Sequence, residues 1–99
     1  MNDGYKTESF FVAAAVMYAY GPESLTAVRQ DLGIISVELD APSIDCELMA
    51  TEFKDGQLAI SDLKTWTRHY LDLTRIMRNL KRSGDSVWHS QSWLQGRGA

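Results

Sequence analysis

The run Phe10–Tyr20, FFVAAAVMYAY, holds eleven consecutive residues without a charge. A helix built from it is apolar on every side, so it has to be covered all round and must lie at the centre of a fold. Thr7 is placed to cap such a helix from about Glu8, its hydroxyl accepting from a free amide of the first turn. Gly21 permits a left-handed stop after Tyr20, and Pro22 prevents continuation. Ala13, Ala14 and Ala15 let neighbouring backbones come close. The run has the length of a signal-peptide core, but Asp3 and Glu8 outweigh Lys6 ahead of it, where a signal sequence is basic. It is also short of the about 20 apolar residues that a membrane span needs.

The whole chain has 99 residues, which is about one domain. Hydrophobic residues make up 44% and charged residues 23%, a globular balance that argues against general disorder. Length and composition exclude a multidomain enzyme, a collagen-like chain, a disulfide scaffold and a membrane-spanning protein. Cys46 is the single cysteine and has no internal partner for a bridge. An unpaired cysteine without an export signal points to a cytoplasmic location.

Two short strands follow the first helix. Leu25–Gln30 is weakly patterned, whereas Ile34–Leu39 alternates, with Ile35, Val37 and Leu39 on one face and Ser36 and Glu38 on the other. Asp31, Leu32 and Gly33 between them form a three-residue hairpin loop. A second helix starts near Ser43 and ends at Asp55-Gly56. Cys46, Met49, Ala50 and Phe53 make one apolar face of it, and Ile44 and Leu48 point to roughly the opposite side. Such a helix touches two things, either both parts of its own fold or one of them a partner.

After an extended link over 57–60, Ser61 caps a long helix from Asp62 to about Arg82, stopped at Ser83-Gly84. Leu63, Trp66, Tyr70, Leu73, Met77 and Leu80 recur at spacings of three and four along it, as a core face does. The expected fold is α+β: helix, two-stranded antiparallel hairpin, helix and long C-terminal helix around one core. Residues 1–84 form this single domain, and 85–99 form a Ser/Gln/Gly-rich tail carrying Trp88 and Trp93.

Charge is unevenly spread under the net value of −3. Residues 1–60 hold three basic and ten acidic side chains; residues 61–99 hold seven basic and three acidic ones. Such a split points to contact with an anionic partner, or to attraction between the two halves, within one chain or between copies. On the long helix, Lys64, Arg68, Arg75, Arg78 and Arg82 lie opposite the apolar stripe. Arginine suits bidentate contact with phosphate or carboxylate. Trp88, His89, Trp93 and Arg97 extend the basic region, and the tryptophans are candidate anchors, for stacked bases or for a protein surface.

Nothing in the sequence assembles a catalytic or metal centre. His69 and His89 lack ligand partners at useful spacing, and His69, next to Arg68, reads as a surface residue. Cys46 sits among apolar neighbours, as inert thiols do, and no glycine-rich phosphate loop is present. No cofactor, metal or membrane partner is expected.

The order Tyr5-Lys6-Thr7, Phe10, Ala13-Ala14, Gly21, Val37-Glu38-Leu39-Asp40 and Phe53-Lys54-Asp55-Gly56 resembles a small uncharacterised domain family of bacteria, archaea and mobile elements. Its opening helix reads Tyr-Lys-Thr-x-Asp-Phe-x-x-Ala-Ala, and Ser9 stands here in place of the aspartate. The resemblance spans residues 5–82. It implies a compact helix–hairpin–helix–helix fold and brings no activity and no catalytic residue.

The reading that follows is a small non-enzymatic protein-interaction module, such as a phage or plasmid accessory or inhibitor protein that binds a larger protein. Its partner-binding residues are Lys64, Arg68, Arg75, Arg78, Arg82, Trp88, Trp93, Ile44 and Leu48. The alternative is a nucleic-acid-binding protein that uses the basic helix face with the tail tryptophans. Homo-oligomerisation is compatible with both.

Overall fold

The computed structural model describes residues 4–90. In chain order they form β1 (Tyr5–Thr7), α1 (Phe10–Tyr20), β2 (Leu25–Asp31), β3 (Ile34–Leu39), α2 (Ser43–Lys54), α3 (Leu63–Ser83) and β4 (Val87–His89), with a 3-10 turn over Pro22–Ser24. The class is α+β, but the two-stranded hairpin expected from the sequence is only the middle of a four-stranded antiparallel sheet. Its order is β1-β3-β2-β4. Thr7 does not cap α1: it lies in β1 opposite Val37, and the cap is Ser9, whose hydroxyl accepts from the Val12 amide at 3.3 Å. At the other edge β4 takes in part of the segment read as tail, setting Trp88 opposite Val28. The Gln30 amide donates to the Ser86 carbonyl at 2.7 Å and starts that pairing.

Burial along β2 departs from simple alternation for a specific reason. Leu25 pairs with Leu39 and Ala27 with Glu38, so Thr26 is an extra residue in the ladder, a β-bulge. The Thr26 hydroxyl donates to the Glu38 carbonyl at 3.0 Å. Without the bulge Leu25 and Val28 would face opposite ways; with it both join the core. In β3 Val37 and Leu39 are buried beside half-buried Ile35 as expected, but Ser36 on the opposite face is buried as well. On the far face Lys6, Arg29 and His89 are exposed, and the Arg29 guanidinium pairs with Glu38 across the strands.

The loop between β2 and β3 is tighter than expected, because Asp31 belongs to β2 and only Leu32 and Gly33 remain. Both have positive φ, 51° and 81°, the signature of a type I′ turn whose twist matches the strands. Leucine is a poor choice there: its Cβ opposes the left-handed conformation, and its side chain is 95% exposed. Leu32→Asn is expected to stabilise the protein by about 0.5–1 kcal/mol, since asparagine tolerates that region. A higher urea midpoint with an unchanged m-value is the result that supports it; an unmoved midpoint counts against it.

The helices form a layer on one side of the sheet. α1 packs on β1 and β3, α3 packs on β2 and β4, and both α2 and α3 pack against α1. Residues 12–17 of α1 are buried, as a helix without a polar face demands. Val28, Val37 and Leu39 meet α1, Cys46 of α2, and Leu73 and Leu80 of α3 in one core. The cap of α3 is Asp62 rather than Ser61: its carboxylate accepts from the Thr65 amide at 3.2 Å and hydroxyl at 2.6 Å. These bonds hold the Asp62 carboxyl below its usual value, with help from the Arg68 charge. His69 is not a surface residue. It is 7% exposed on the core side of α3, and its Nδ1 has no hydrogen-bond partner among the described residues. No helix of the described residues is long and apolar enough to cross a membrane.

Candidate interaction surface

Helical geometry fixes which side of α3 the cations occupy. Leu73 and Leu80 are buried, and the side opposite them carries residues 64, 68, 71, 75, 78 and 82, spaced four, three, four, three and four apart. Five of these six are Lys64, Arg68, Arg75, Arg78 and Arg82, all exposed as expected. The sixth is Leu71, 52% exposed in the middle of them. At 1.5 Å per residue the stripe is about 27 Å long. The Arg75 guanidinium reaches Asp72 at 3.7 Å, and among the described residues no other cation of the stripe has an ion-pair partner. Like charges three and four residues apart repel modestly, so an anionic surface laid on the stripe relieves them. Leu63 and Leu71 floor a shallow trough along its N-terminal half, bordered by Lys64, Arg68 and Arg75. Every residue of that trough belongs to α3, so it is an open furrow on one helix rather than an enclosed cavity.

The outer side of α2 is the acidic counterpart. Cys46 is fully buried and Met49 and Ala50 pack on the core, which turns Ile44 and Leu48 outward, 76% and 60% exposed. The exposed carboxylates of Asp45 and Glu47 flank this apolar pair, and exposed Lys54 and Asp55 stand together at the C-terminal end of the helix. The Tyr20 hydroxyl donates to Asp45 and orients that carboxylate, and this bond is the main reason the phenol is held above its usual value.

A ring stack clamps the three helices together. Phe11 of α1 lies nearly parallel to Phe53 of α2, with centroids 5.4 Å apart, and to Tyr70 and Trp66 of α3 at 5.1 and 6.1 Å. Phe53 thus faces α1 but, unlike Cys46, Met49 and Ala50, stays exposed outside the core cluster.

Trp88 is not on the stripe. The register of β4 aims it at the core, where it is half-buried against the cluster. Trp93 and Arg97 lie outside the described residues. Leu71, and the exposure of Leu63 at 64%, were missed by the sequence reading. The signal for Leu71 was present: it fills the gap between Arg68 and Arg75 in the cation spacing. Leu63 shares the spacing of the core stripe but stands at the first position of α3, outside the buried cluster. Among the described residues no three His, Cys, Asp or Glu side chains converge as metal ligands do. Comparison of the chain with family models, curated proteins and solved structures found no match.

Proposed function

We propose that this chain is a small non-enzymatic protein-interaction module that binds a larger protein through the outer face of α3. The observation that carries this reading is the exposed Leu71 centred among five cations. An apolar centre inside a charged rim is the make-up of a protein interface, where arginine is enriched. A phosphate backbone gains little from a leucine in mid-stripe, and the inward aim of Trp88 leaves the described face without a ring for base stacking. An open furrow suits docking better than enclosing a small substrate.

Arg75→Glu with Arg78→Glu tests the reading. In capture from host lysate, the wild-type chain is expected to retain a discrete protein that the double variant loses. Labelled oligonucleotides supply the rival readout by fluorescence anisotropy. Binding at about 50 mM salt that falls by orders of magnitude at about 200 mM, and vanishes in the same variant, would transfer the face to nucleic acid.

A further inference from the structure

The outer faces of α2 and α3 carry opposite charge around similar apolar centres. On α2, Ile44 and Leu48 stand one turn apart between Asp45 and Glu47, with Asp55 at the helix end; on α3, Leu71 stands among Lys64, Arg68, Arg75 and Arg78. Within one molecule these faces cannot meet. Each helix turns the opposite side inward, with Cys46 and Leu73 fully buried, and both pack against α1. α3 also packs on β2 and β4, whereas α2 leans on α1.

We propose that the outer face of α2 in one copy docks on the cationic stripe of α3 in the next, so that the chain self-associates head to tail. Charge complementarity selects a second copy as the occupant: the carboxylates reach the guanidinium groups while Ile44 and Leu48 cover Leu71. α2, about 18 Å long, covers about two thirds of the stripe, which is about 27 Å. The two surfaces differ, so the contact is heterologous. It repeats into a ring or an open filament instead of stopping at a two-fold dimer. One helix laid on one helix covers less area than a stable complex needs, so association is weak and salt-dependent. The proposal shares the α3 face with the function proposed above but needs no outside partner.

Sedimentation velocity on the full chain at rising concentration tests it. At about 50 mM salt the average mass is expected to climb above the 11.1 kDa monomer, and at about 500 mM to return to it. Two charge-reversed variants locate the contact: Glu47→Lys with Asp55→Lys on α2, and Arg75→Glu with Arg78→Glu on α3. All four positions are exposed, and circular dichroism checks that each variant folds. Each variant alone is expected to stay monomeric, because like now faces like. Their equimolar mixture restores both pairings and is expected to associate at least tenfold more strongly than either alone. A wild-type chain that stays monomeric up to about a millimolar overturns the proposal. So does association that survives in either variant, or a mixture as monomeric as its parts. The α2 variant leaves the stripe intact, so its capture of an outside protein reports on the partner reading alone.

Discussion

Leu73→Ala is expected to lower stability by about 3 kcal/mol, within the range for truncating a buried leucine. Leu73 is fully buried where α3 meets the rest of the core, and shortening it removes three carbons from that cluster. For a domain of this size each kilocalorie moves the melting midpoint by about 4–8 °C, so the shift should exceed about 10 °C. Leu71→Ala is the control. It lies two residues away but is 52% exposed, and its effect should stay within about 0.5 kcal/mol. Paired urea titrations decide the matter. Similar losses for the two leucines would mean that α3 is rotated from the orientation on which the cationic stripe depends.

The second large effect is expected at Gly21. Its φ of 95° and ψ of 156° fall in a region essentially restricted to glycine. The position is also crowded with hydrogen bonds. Its amide donates to the Met17 carbonyl at 2.8 Å, ending α1, and its carbonyl accepts from the Ser24 amide and hydroxyl at 3.1 and 2.7 Å. A Cβ at Gly21 would collide with the Glu23 carboxylate. That side chain is flexible and can swing away, so the lasting penalty is the backbone's, about 2–3 kcal/mol for Gly21→Ala. Adding Glu23→Ala to Gly21→Ala separates the causes. If the double variant recovers most of the loss, the collision dominates and the backbone argument fails.

The long helices were legible because their signals are redundant. In α3 the spacing, the cap region and Gly84 agree, and Gly84 is left-handed at φ 76°. The strands at the sheet edges were not legible. Three residues carry no period, and Tyr5–Thr7 and Val87–His89 become strands only through the partners that β3 and β2 offer. The bulge at Thr26 hid the alternation of β2, since an extra residue reverses the facing of everything before it. Capping misled by one or two positions, because serine, threonine and aspartate cluster around the starts of both α1 and α3 and only geometry selects among them. The cations of the stripe could be placed because helical period alone orients them. Trp88 could not, because its direction depends on a register that the sequence does not announce. His69 was misread through its neighbour Arg68, although it follows Trp66 by three and precedes Leu73 by four, within the buried stripe.

The all-apolar α1 ties the fate of the other elements together. It has the sheet beneath it and α2 and α3 against it, and none of the three can leave without wetting the same helix. In many proteins a peripheral helix opens alone, at a small fraction of the global free energy. Here the loss of either flank strips a surface with no polar side to turn outward. Partial opening is thus expected to cost much of what complete unfolding costs, and the helices to unfold together. The same arrangement makes an open form hazardous, because what it bares first is a strip of valine, alanine and methionine fit to coalesce with its like on another chain.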